Sequence, residues 1–155
     1  MRRVVVTGMA GLTSLGDSLD GVLADLHAGK TGIRYIEEWE RFTDMSTRLG
    51  GPADWFKHEK IYPRHAMRSM GRVAALTVHT AERALEHAGL RDHPVLKTGR
   101  TGVAAGSSYG STPATMDFVP FLSEGKAGKL NATSYIRMMS HTAPVNMAVF
   151  FGLQG

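Results

Sequence analysis

The chain has 155 residues, 43% of them hydrophobic and 21% charged, with a formal net charge of +4 at pH 7. That is about one domain of chain with apolar content enough for a core, and its charge is too dilute for a nucleic-acid binder. It holds no cysteine, which excludes disulfides, thiolate metal sites and a cysteine nucleophile within these residues.

No apolar run approaches the roughly 20 residues needed to cross a bilayer, and no signal peptide precedes Val4, so the expectation is a cytoplasmic protein without a membrane partner. Val4 to Thr7 is β-branched and ends at Gly8, which predicts a strand buried on both faces. The glycines that follow invite comparison with a dinucleotide fingerprint. Leu12 and Ser14, however, occupy two positions where that motif needs glycine, and no acidic residue closes a following strand for a ribose. A tight strand-exit turn is the simpler reading. Leu19, Val22, Leu23 and Leu26 follow the spacing of an amphipathic helix, with Asp17 or Ser18 as N-cap and Gly29 just past its end. Residues 30–63 show neither period, and their glycines, prolines and the anchors Trp39, Phe42, Trp55 and Phe56 predict an ordered, irregular excursion.

From about Arg64 to Ala88 the residues Met67, Met70, Ala74, Thr77, Ala81 and Ala84 or Leu85 line one face of a predicted long helix, stopped at Gly89-Leu90. Arg64, Arg68 and Arg72 share one stripe of it, readable either as a solvated face or as a docking patch for an acidic partner. A second buried strand is predicted at Gly102 to Ala105, followed by Gly106-Ser107-Ser108-Tyr109-Gly110 and a helix through Phe121. The G-x-S-x-G at 106–110 has the context of a serine-hydrolase elbow. Its acid and histidine would have to come from Asp117 or Glu124 and from His141, on too little chain to build the strands that carry them. The seven histidines form no HxxxH pair and predict no metal site. After a Gly/Lys-rich loop, Pro144 opens a helix from Ala143 to Phe151 that stops at Gly152. Strands alternating with helices place the chain in the α/β class with a mixed or parallel sheet. The terminal Gly152-Leu153-Gln154-Gly155 stands where another strand is expected, so residues 1–155 read as the front part of a longer domain.

Taken in order, RRVVVTG with LTSLG, the segment HAGKTGI, the Arg-rich stretch at 64–72, TGVAAGSSYGS and VNMAVFFGLQG resemble the β-ketoacyl-acyl-carrier-protein synthases, condensing enzymes of the thiolase-like fold. The resemblance spans the whole chain and lies in the ensemble of these pieces. It implies a layered αβαβα core, with the first strand and its glycine turn as scaffold. It also implies acyl transfer from acyl carrier protein to a cysteine, then condensation with a decarboxylated malonyl thioester, in fatty-acid or polyketide synthesis. That cysteine and two histidines would follow Gly155, so no catalytic residue lies in this span, and neither a metal nor a cofactor is implied. By family position Tyr109 gates the acyl tunnel, Met138, Met139 and His141 line it, and Gly106 to Gly110 lie at a homodimer interface. Arg64, Arg68, Lys126 and Lys129 correspond to basic contacts with the carrier, although His65 and Ser69 replace lysines of the family pattern. A noncatalytic partner of the same fold, as in chain-length factors that lack the cysteine, is the alternative.

Overall fold

A computed structural model describes residues 3–128 and 130–155, which form two compact units, one of Ala10–Lys57 and one joining the N-terminal residues through Met9 to His58–Gly155. The smaller unit contains helix α1 (Leu19–His27), capped by the Ser18 hydroxyl, which accepts the Gly21 N–H. It also contains a two-stranded antiparallel ribbon of β1 (Arg34–Tyr35) and β2 (Leu49–Gly50). Arg34 stands opposite Gly50, and Tyr35 opposite Leu49. The predicted irregular excursion is therefore mostly irregular, with a short ribbon inside it.

The larger unit is built on helix α2 (Arg72–His87), which packs against α5 (Thr142–Phe151) and whose buried residues are Ala74, Ala75, Val78 and His79. The small alanines permit that close approach, and Ala143, Asn146 and Phe151 are the buried residues of α5. The stop predicted for α2 is formed as a Schellman turn. Gly89 takes φ +68°, Leu90 N–H donates to the Leu85 carbonyl at 2.8 Å, and Gly89 N–H donates to that of Glu86 at 3.0 Å. Helix α3 (Thr112–Glu124) pairs with α4 (Ala132–Met138).

Three expectations are corrected. The long helix does not start at Arg64: residues 64–69 run as successive turns, and α2 begins after Gly71. A Cβ on Gly71 would lie 2.5 Å from the Cβ of Ser111, so this residue marks a crossing of two backbone segments where a helix with side chains all round does not fit. Val4 to Thr7 and Gly102 to Ala105 form no ladder either, and among the described residues the only sheet is β1–β2. Val4, Val5 and Val6 are 96%, 72% and 79% exposed. A strand exists only by its partners, and neither segment meets one here. The mixed sheet is thus absent from the described residues. Helix α4 is an addition, started by a capping box in which Thr133 N–H donates to Asn131 Oδ1 at 2.9 Å and Asn131 N–H to Ser134 Oγ at 3.1 Å.

Candidate functional site

The glycine turn at the N-terminus is scaffold rather than cradle. A Cβ on Gly8 would stand 2.8 Å from that of Ala88, and Met9 N–H donates to His87 Nδ1 at 3.0 Å, so this turn lies against the C-terminal end of α2. Residues 106–110 likewise form no nucleophile elbow. The next helix starts only at Thr112, well past Ser108, the serine of the G-x-S-x-G pattern, and among the described residues no paired strand leads into Gly106.

What this stretch does is dock on the end of α4. Gly110 is buried, and a Cβ there would fall under 3.0 Å from the Met138 carbonyl and 3.0 Å from Met139 N. Ser111 N–H donates to the Arg137 carbonyl at 3.0 Å. The sequence neighbours Tyr109 and Gly110 are thereby brought to Met138 and Met139, far away in the chain. The Tyr109 ring is half exposed and its hydroxyl donates to Thr115 Oγ1 at 3.1 Å, on the first turn of α3. The α4–α5 connection is tight, since Thr142 Oγ1 reaches the carbonyls of Ile136 at 2.9 Å and Met139 at 2.7 Å. His141 sits exposed on that connection.

The basic residues occupy a different face of the same junction. Arg64 and Arg68 are exposed on the turns before α2, and with Arg137 of α4 they line a cleft of about 1060 Å³. Its apolar lining comes from Tyr62, Met67 and Met70, all buried. The turns that carry Arg64 and Arg68 are pinned from three helices. Tyr62 O–H donates to Glu82 Oε2 of α2 at 2.6 Å, Ser69 Oγ donates to Asn146 Oδ1 of α5 at 2.7 Å, and Arg137 Nη2 donates to the Arg68 carbonyl at 2.8 Å. Tyr62 also packs edge-on against Phe150 and lies 3.2 Å from His79 Nδ1. Burial raises the Tyr62 phenol well above its ordinary pKa, and the hydrogen bond to the Glu82 carboxylate adds to this, so the group stays a neutral donor. Arg91 completes the network by pairing with Glu82. Lys126 lies just past α3, ion-paired to Glu124 at 2.7 Å, and does not line the cleft. Lys129 lies outside the described residues. Among the described residues no group of three or more histidine, aspartate or glutamate side chains is gathered for a metal.

All of residues 1–155 match the family model of the β-ketoacyl synthase N-terminal domain. The chain belongs to the β-ketoacyl synthase family. Among solved structures, a β-ketoacyl synthase from Burkholderia phymatum superposes with a TM-score of 0.92 at 40% identity, over 100% of this chain and 38% of that one. A relative named 3-oxoacyl-[acyl-carrier-protein] synthase 1 from Haemophilus influenzae is 36% identical over 111 residues, which are 72% of this chain and 27% of the relative. The protein of the same name from Buchnera aphidicola is 27% identical over 100% of this chain and 38% of its own length. The ishigamide ketosynthase/chain length factor shares the fold, with a TM-score of 0.69 at 21% identity. The chain therefore spans about two-fifths or less of the relatives it matches.

Within this β-ketoacyl synthase domain the structure sets Gly110, next to Tyr109, against the backbone of Met138 and Met139. Sequence reasoning missed Arg137, which joins the cleft to the end of α4. The one local signal was Asn131-x-x-Ser134, a capping pattern that places a helix, and so Arg137, immediately before Met138.

Proposed function

We propose that the protein carrying this chain is a β-ketoacyl-acyl-carrier-protein synthase of fatty-acid or polyketide synthesis. The match of the whole of this chain to part of the synthase structure from Burkholderia phymatum carries the reading. In this reaction an acyl group moves from the carrier thiol to an enzyme cysteine. Malonyl thioester then loses carbon dioxide, its carbanion attacks the acyl carbonyl, and the cysteine thiolate leaves. This span contains no cysteine, and the proposed nucleophile and two histidines lie beyond Gly155.

The span's share of the work is positioning. Arg64 and Arg68 supply a basic rim for the acidic carrier, with Lys126 and Lys129 as a second contact, and Tyr109 with Met138, Met139 and His141 borders the acyl channel. The exposed valines at 4–6, and the apolar face of α5 with Val145 and Val149 at 56% and 76% exposure, are surfaces without cover in this chain. The reading assigns their cover to further chain, which would complete the αβαβα layers, and to a second subunit of a homodimer near Gly106 to Gly110. A cytoplasmic location goes with it. Intact-mass spectrometry of the full-length protein incubated with acyl-carrier protein tests the assignment. A single acyl adduct, abolished by blocking one cysteine, is expected, and the absence of any adduct would identify a noncatalytic partner subunit instead.

A further inference from the structure

The cleft beside α4 holds more positive charge than the chain itself answers. Three guanidinium groups, those of Arg64, Arg68 and Arg137, line it against one carboxylate, Glu59, and that carboxylate already lies 3.2 Å from His58 Nε2. The local excess is two positive charges with histidine neutral. A single carboxylate ligand would leave one of them unanswered, whereas a phosphate monoester carries a charge of about −2 near neutral pH, and its oxygens match guanidinium forks. Arg137 is also pre-positioned. Its side chain is tied to the Arg68 carbonyl at 2.8 Å, and its own carbonyl accepts the Ser111 N–H, so it loses little freedom on meeting a ligand. Its Nε is buried without a partner. A guanidinium held where part of its donor set goes unanswered gains more than a solvated one from an anion at its remaining N–H groups. The other wall is apolar: Tyr62, Met67 and Met70 offer an aromatic ring and two thioethers rather than water-binding groups. A few convergent charged groups over an apolar floor is the usual constitution of a small-molecule site.

We propose that this cleft binds a small organic phosphate monoester, with its phosphate on Arg64, Arg68 and Arg137 and its apolar body on Tyr62, Met67 and Met70. The inference rests on the cleft and not on the carrier-docking reading, although the two share Arg64 and Arg68. Where both hold, the phosphate competes with the carrier.

Calorimetric titration of the full-length protein in low salt, with no carrier present, tests it directly. Hexyl phosphate, inorganic phosphate and hexanoate are the probes. Hexyl phosphate should bind saturably at one site per chain, at least about tenfold more tightly than inorganic phosphate, because the alkyl body adds buried apolar area. Arg137→Gln and Arg64→Gln should each weaken it by about tenfold, while Arg41→Gln, remote in the sequence, should not. Arg64 is exposed, so its variant separates loss of a ligand contact from loss of fold. Hexanoate binding as tightly as hexyl phosphate, equal affinity for the two phosphates, or no saturable binding would each overturn the proposal. Failure here with intact carrier-dependent turnover would leave the functional reading standing.

Discussion

Replacing Gly110 with alanine tests the junction on which the site is built. The added methyl would sit under 3.0 Å from the carbonyl of Met138 and 3.0 Å from the nitrogen of Met139, whereas ordinary van der Waals contact begins at 3.4 Å. Main-chain atoms at the end of α4 cannot swing aside as a flexible side chain would, so the 109–111 segment has to withdraw. Overpacking of this kind costs about 1–3 kcal/mol. The bond that should register it is Ser111 N–H to the Arg137 carbonyl, 3.0 Å long. A local destabilisation of about 2 kcal/mol corresponds to roughly 30-fold faster amide exchange at Ser111 if exchange proceeds through local opening. Hydrogen exchange read by mass spectrometry on the full-length protein measures this at peptide level, with Gly128→Ala as the control because its added methyl meets nothing within 4 Å. Exchange around Ser111 equal in the two variants would refute the close approach of Gly110 to Met138, and with it the placement of Tyr109 beside Met138 and Met139.

The other predictions concern the same two faces. Arg68→Glu should raise KM for acyl-carrier protein by about three- to tenfold, less at high salt, with little change toward a carrier-free acyl thioester; steady-state kinetics with equal losses on both substrates would mark a structural role. Tyr109→Ala should shift the kcat/KM ratio of long to short primers by about tenfold, the worth of two buried methylenes at ~0.8 kcal/mol each, in a variant shown by gel filtration to keep its assembly state. Glu82→Gln removes the charged acceptor from Tyr62 and the pairing of Arg91, so it should loosen the turns bearing Arg64 and Arg68. It should raise KM for the carrier substrate while leaving kcat within about twofold, and a matching loss in kcat would argue for a general loss of fold. Residues 1–155 alone should show no condensing activity in a carrier-based assay, since the span has no cysteine.

How much of this was legible in the sequence differs by the range of the interaction involved. Helix ends were legible because their signals are local: Ser18 caps α1, and Gly89 adopts the left-handed φ that stops α2. The strand predicted at Val4 to Thr7 failed for the opposite reason. Its β-branched run is a statement about fitting a sheet, and the sheet must be supplied by residues this chain does not place beside it. The start of α2 was misread because Met67 and Met70 continue the helical spacing into the turns. Those two residues are buried as the pattern requires, while the backbone crossing at Gly71 and Ser111, a tertiary event, fixes where the helix begins. The expectation that Tyr109, Met138, Met139 and His141 border a channel came from resemblance alone. The spacing of Tyr109 and Met138 says nothing about proximity, and the contact is made by Gly110, a residue without a side chain. Arg137 and the Tyr62–Glu82 pair were missed because hydrogen bonds between segments leave no periodic trace in a sequence.

The central claim, that this chain is the carrier-docking and channel-bordering part of a condensing enzyme, meets its most direct test in product analysis. Full-length protein is incubated with an acyl-carrier protein and malonyl-carrier protein, and the carrier species are resolved by mass spectrometry. The account predicts a β-ketoacyl-carrier product two carbons longer than the primer, formed with one carbon dioxide released per condensation, and formed more slowly by Arg68→Glu at limiting carrier. Unextended primer alongside intact malonyl-carrier protein, from a folded full-length protein, would contradict it.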